Sequence, residues 1–174
     1  MKAENCKHKL KIGVSGCLLG HLVRYDGRGK LHPAISQLSS EFELIPLCPE
    51  VGAGMAVPRP SVQLVELEGS LFALGVENRE LDVTRQLESY LQSQINIIKT
   101  LSGLILKARS PSCGTGSTPL FDNNGEEIGH GSGLFSRDIQ KQFPALPIID
   151  EETFDDPLLS DRFLHHVKRY QTQD

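Results

Sequence analysis

Two short apolar runs with a helical segment between them constrain this chain more than any other feature. Lys11-Ile-Gly-Val-Ser-Gly16 is β-branched and ends in small residues, and Glu43-Leu-Ile-Pro-Leu47 is a second such run, so both read as strands. His32 to Phe42 reads as a helix, with Pro33 in its first turn and Ile35 and Leu38 on one face. Strand, helix and strand in this order favour a parallel pair with a right-handed crossover. The alternation continues downstream. A helix from about Asp82 to Leu101, capped by Asp82, carries the stripe Val83, Leu87, Leu91, Ile95 and Ile98. Gly103-Leu-Ile-Leu106 and Pro147-Ile-Ile-Asp150 supply a third and a fourth strand. A last helix, about 156–172, has Asp156 as cap, Pro157 at its first position, Lys168 and Arg169 near its end, and a buried stripe of Leu159, Phe163, Val167 and Tyr170.

Between these units lies material of another kind. Val51 to Pro60 is a Gly/Pro loop, and the runs Val62 to Leu67 and Leu71 to Val76 form a hairpin around Glu68-Gly69-Ser70. Asn124-Gly125 signals a turn, and Gly129-His-Gly-Ser-Gly133 opens a helix that ends before Pro144. No repeat or linker divides the 174 residues, a length that suits one core. The expectation is a single α/β domain over 1–174, with a mostly parallel sheet and an added β-hairpin.

Four cysteines, Cys6, Cys17, Cys48 and Cys113, are spread along the chain. The first nine residues lack the apolar stretch of a signal peptide, and no run approaches the ~18 apolar residues that cross a bilayer. A cytoplasmic protein without membrane contact is expected, in which disulfides are rare. The formal charge of −4 and pI near 5.9 argue against a stable nucleic-acid complex, though not against a small ligand held by a few cations.

Cys17 follows the first strand, Cys48 the second, and Cys113 the third after a short loop. In an open parallel sheet these C-terminal ends share one edge, where ligands bind. Gaps of 31 and 65 residues therefore need not separate the thiols in space. Cys6 precedes the first strand and belongs to the opposite end. Three thiols without an obvious fourth suggest an iron–sulfur cubane with one open iron; a Cys3His zinc site or plain core cysteines are the competing readings.

The flanks carry further candidates. Glu50, in Cys48-Pro-Glu50, is a solvated loop carboxylate unless a metal lies beside it, where it becomes a general acid/base. Ser112 precedes Cys113 and is otherwise a turn hydroxyl. Arg24, Arg59, Lys107 and Arg109 are singly ordinary surface cations and together an electropositive rim for an anionic substrate. Gly129-x-Gly-x-Gly133 offers backbone N–H groups to a phosphate only weakly, because a hairpin precedes it.

Val14-Ser-Gly-Cys17-Leu-Leu-Gly20, Val23-Arg-Tyr-Asp-Gly27, Cys48-Pro-Glu50, Pro58-Arg-Pro60 and Lys107-Ala-Arg-Ser-Pro-Ser-Cys-Gly114 together closely resemble the thiouracil desulfidase family. The resemblance runs from about 10 to 152, with Gly131 to Asp150 matching the family's closing helix–strand segment. It implies a Rossmann-like three-layer α/β fold, a 4Fe-4S cluster on Cys17, Cys48 and Cys113, and catalytic roles for Glu50 and Ser112. Gln63 stands where the family is expected to prefer Glu. The chain stops short of a further C-terminal domain that some relatives carry.

The implied chemistry is non-redox removal of sulfur from a thiolated pyrimidine base, nucleoside or nucleotide. The open iron takes the soft substrate sulfur, water activated by Glu50 adds to the ring carbon, Glu50 or Ser112 shuttles a proton, and hydrosulfide is released. Arg24, Arg59, Lys107 and Arg109 are the expected substrate-binding cations. A structural zinc module or an iron–sulfur electron-transfer protein, the latter usually with four cysteine ligands, are the alternatives.

Overall fold

The computed structural model describes residues 9–170; Cys6 and the end of the expected last helix lie outside the described residues. Four strands, β1 (Lys11–Ser15), β2 (Glu43–Leu47), β5 (Gly103–Leu106) and β8 (Ile148–Asp150), form a sheet in the order β2-β1-β5-β8. All three pairings are parallel, with Ser15 opposite Leu47, Val14 opposite Ile105 and Ile105 opposite Ile149. Short strands of three to five residues, mostly apolar, suit this place, because helices cover both faces.

On one face Ile12, Val14 and Ile105 pack with Ile35 of α1 (Pro33–Gln37), Phe154 of α5 (Glu151–Phe154), and Phe163 and Val167 of α6 (Pro157–Tyr170). On the other face Leu47, Leu104 and Leu106 meet Leu91 and Ile98 of α3 (Thr84–Ile98) and Phe135 and Ile139 of α4 (Leu134–Gln142). The three layers implied by the family resemblance are present.

The expected hairpin is part of something larger. β3 (Val62–Leu67) and β4 (Ser70–Gly75) turn at Glu68 and Gly69, both with positive φ, as a two-residue primed turn requires. A second hairpin, β6 (Thr118–Phe121) with β7 (Glu127–Gly131), joins it through a parallel β3–β6 pairing. The product is a second sheet of order β4-β3-β6-β7. Leu64 and Ala73 pack on Val83, on Leu87 of α3 and on Leu134 of α4, so α3 and α4 serve both sheets.

Other expectations are corrected locally. The helix expected over His32 to Phe42 stops at Gln37 and tightens into a 3-10 turn, Leu38–Ser40; His32 Nδ1 accepts the Ile35 N–H at its start. Val83, and not Asp82, holds the N-cap position of α3; Asp82 lies one residue earlier and accepts the Thr84 N–H. Gly129 and Gly131 lie in β7 and not in a helix-opening loop. Asp156 caps α6 as expected, but Leu159 is 38% exposed and lies at the rim of the buried stripe. No helix among the described residues is long and apolar enough to cross a membrane.

A candidate metal–thiolate active site

The chain leaves β1 for β2 on one side and returns to place β5 on the other, so β1 marks the topological switch point of the parallel sheet. Cys17 sits in a 3-10 turn, Gly16–Leu19, directly after β1. Cys48 follows β2 at the start of α2 (Pro49–Gly52). Cys113 ends the loop that leaves β5. All three line one cavity of about 450 Å³, together with Glu50 and Ser112.

The loop that carries Cys113 is held from several sides. Ser110 Oγ accepts the Cys113 N–H at 3.1 Å, and the Ser110 carbonyl takes the Gly114 N–H at 2.9 Å and the Thr118 hydroxyl at 2.8 Å. The first N–H groups of α4 have no side-chain cap. Those of Leu134 and Phe135 instead donate to the carbonyls of Pro111 and Ser112, each at 3.0 Å. These donors are therefore committed to the cysteine loop, which removes the phosphate reading of Gly129-x-Gly-x-Gly133. The requirement at Gly133 is steric, since a Cβ there would lie 2.4 Å from the Ser112 carbonyl carbon.

Glu50 and Ser112, 62 residues apart, meet: Ser112 Oγ donates to Glu50 Oε1 at 2.9 Å. The other oxygen, Oε2, accepts from Arg59 Nε at 2.8 Å and lies 2.6 Å from Nη2 in an ion pair. The remaining expected cations also line the cavity, each with an acidic partner. Arg24 pairs with Asp26 at 3.3 Å, Arg109 with Glu152, and Lys107 with Glu151.

Residues not singled out in the sequence complete the site. Glu151, 2% exposed, accepts from Lys107 Nζ and from the Ala108 N–H, with Lys30 Nζ at 3.7 Å. Asp150 beside it accepts from Thr115 and Ser117 and caps α5 at Thr153. Ser15 Oγ accepts the Lys107 N–H. Tyr25 and Lys30 line the mouth. One signal pointed to the acids: Asp150-Glu151-Glu152 follows a fourth parallel strand, at the same sheet edge as the cysteines.

Burial pushes the Cys17 thiol up to about 11 and the Cys113 thiol up to about 12, and raises Cys48 as well. Lys107 opposes the rise at Cys17, and Cys48 and Glu151 reinforce it. Burial, helped by Cys48 and Cys113, also holds the Tyr90 hydroxyl near about 12. Alone, the thiols stay protonated at neutral pH; a bound cation displaces those protons. Among the described residues no three His, Cys, Asp or Glu side chains are grouped to hold a single metal ion. The three cysteines instead share the lining of the one cavity.

Fold and site together define a class: a Rossmann-like α/β protein whose sheet edge gathers soft sulfur donors beside a carboxylate–hydroxyl pair. A family model described as 2-thiouracil desulfurase matches residues 12–151, and this chain belongs to that family. The uncharacterized protein YbbK of Bacillus subtilis (strain 168) is 31% identical over 132 residues, which cover 71% of this chain and 85% of that protein. Among solved structures, a 4Fe-4S-dependent thiouracil desulfidase, TudS, matches with a TM-score of 0.68 at 26% identity, covering 87% of this chain and 97% of that one.

Proposed function

We propose that this protein is a 4Fe-4S-dependent desulfidase that replaces the sulfur of a thiouracil-type base, nucleoside or nucleotide by oxygen without net redox change. The observation that carries the reading is the meeting of Cys17, Cys48 and Cys113 with the Glu50–Ser112 pair in one cavity. The TudS match supports it. The donor set fits the cofactor: three cysteines with soft sulfurs, raised by burial until a cation takes them, line one cavity. When bound on these three cysteines, the cluster supplies an iron without a protein ligand, a Lewis acid for a thione sulfur.

The chain's own groups handle the rest of the reaction. Thione and water give carbonyl and hydrogen sulfide: one C–O bond forms, the C–S bond breaks, and no electrons are gained or lost. Glu50 Oε1 takes a proton from the attacking water, directly or through the Ser112 hydroxyl that already points at it. The same pair returns a proton to the departing sulfur. Arg24, Lys107 and Arg109 meet the polar or anionic parts of the substrate at the mouth, in competition with their acidic partners. We place this activity in a single α/β domain working in the cytoplasm on small molecules.

The test is anaerobic purification or reconstitution, with an absorbance spectrum, iron and sulfide analysis, and sulfide release from thiouracil, thiouridine and thiouridine monophosphate. About four iron per chain and sulfide release are expected, with hydrolysis lost in the apoprotein. Cys17→Ser, Cys48→Ser and Cys113→Ser should each lose the cluster, and Cys6→Ser should keep it. Stoichiometric zinc in place of iron would overturn the reading.

A further inference from the structure

Arg59 has the position of a rim cation but not its freedom. Nε donates to Glu50 Oε2, Nη2 lies 2.6 Å from the same oxygen as an ion pair, and Nη1 donates to the Ala56 carbonyl at 3.3 Å. The side chain is 5% exposed. Its backbone is fixed too: the Arg59 N–H donates to the Tyr25 carbonyl at 2.9 Å, and Pro58 and Pro60 restrict the chain on either side. All three guanidinium nitrogens therefore have protein partners, and little surface is left for an incoming anion.

We propose that Arg59 is the positioning residue for Glu50: by tying Oε2, it reserves Oε1 for Ser112 and for proton transfer. The proposal rests on the desulfidase function above. An Arg–carboxylate pair often engages both oxygens in a fork. Here the Nε hydrogen bond and the Nη2 ion-pair contact both fall on one oxygen, and the other receives the Ser112 hydroxyl. Such an arrangement is needed beside three cysteines, whose ligated thiolates repel a carboxylate and would turn it out of the cavity. Arginine suits the task better than lysine because its planar donors fix direction as well as charge.

The test is a double-mutant cycle of Arg59→Met and Glu50→Gln in iron-loaded protein, with kcat and KM for thiouracil and thiouridine monophosphate, iron content and melting curves. Arg59→Met should lower kcat by about 10- to 100-fold, the size of effect that misplacing a reacting group produces. KM for both substrates should stay within about threefold, because only a group acting in the transition state is displaced. Arg59→Lys should recover part of the rate. The double variant should be no slower than Glu50→Gln alone, because Arg59 then has nothing to position.

A KM increase confined to the nucleotide would make Arg59 a substrate cation and overturn the proposal, as would multiplicative losses in kcat. If Arg59→Met fails to load iron, Arg59→Lys carries the same kcat-against-KM comparison. Melting temperatures read the pair without turnover and should be non-additive; additive shifts also overturn the proposal. A wild-type holoprotein that releases no sulfide from any substrate overturns the function reading alone, since the coupling in stability is measured independently.

Discussion

Glu50 gives one oxygen to Arg59 and the other to Ser112, so a substitution that preserves shape separates its proposed proton transfer from its packing. Glu50→Gln retains the size and much of the hydrogen bonding and removes the ionisable carboxylate. Iron content and absorbance should stay normal while kcat falls about 100- to 10,000-fold, the range of general acid–base catalysis. Iron lost along with activity would instead make Glu50 a brace or ligand of the metal centre. Gly133 supplies a purely steric counterpart. A methyl at this position would meet the Ser112 carbonyl carbon at 2.4 Å, and this neighbour is backbone. Gly133→Ala should destabilise the protein by about 1–3 kcal/mol, as overpacking does, and should weaken iron retention because Cys113 adjoins the displaced peptide. Urea denaturation and iron analysis of one preparation check both effects.

The element that most affects the site without contributing a thiol is α5, a single turn at the end of β8. Its cap Asp150 is buried, and burial alone would raise its pKa. The Thr153 N–H and the Thr115 and Ser117 hydroxyls outweigh that and hold the carboxyl below its ordinary range. A depressed carboxyl contributes stability above its unfolded pKa, about 3.9, and loses it as pH falls through the lower folded value. Asp150→Asn should therefore be less stable than the parent at pH 7, by about 1–3 kcal/mol for hydrogen bonds to a charged group. The gap should shrink toward pH 3, as read by urea midpoints at both pH values. Elements of this size are poorly legible in sequence. The strands β1, β2, β5 and β8 announce themselves as apolar runs, and the start of α6 as Asp156 followed by Pro157, whereas at α3 the expected cap Asp82 is one residue early. In α5, a four-residue helix, there is no room for a periodic stripe, and Glu151 has the composition of a surface acid although it is buried against Lys107 and Ala108. The helix expected after His32 ended early, since nothing in Leu38-Ser-Ser40 distinguishes α from 3-10 turns.

At the scale of the molecule, one sheet carries the three cysteines at its edge, and the second is joined to it by α3 and α4, whose side chains pack against both. The convergence of the cysteines was legible because parallel strands share one C-terminal edge and each thiol follows a strand. The second sheet was not: its β3–β6 pairing joins segments more than fifty residues apart, and periodicity within either hairpin carries no information about a distant partner. On the proposed function, the metal centre ties together loops that otherwise hold by their own hydrogen bonds. Removing it under mild chelation should lower the melting temperature by roughly 10 °C, since a ligand well above its dissociation constant contributes about 3–4 kcal/mol and each kcal/mol moves a domain of this size about 2–4 °C. Amide exchange should rise at the turns around Cys17, Cys48 and Cys113 and stay low in β1 and β5. An unchanged melting temperature would mean that the folded chain forms the site without help from its cofactor. The order of the three thiols also has a consequence for biosynthesis. A ribosome that has released Cys17 and Cys48 has delivered only β1 and β2; Cys113 emerges 65 residues later, and Glu151, which seats the start of its loop, later still. No nascent chain ending before residue 113 carries all three thiols, so on the proposed function cluster assembly waits until well over half of the protein has been made.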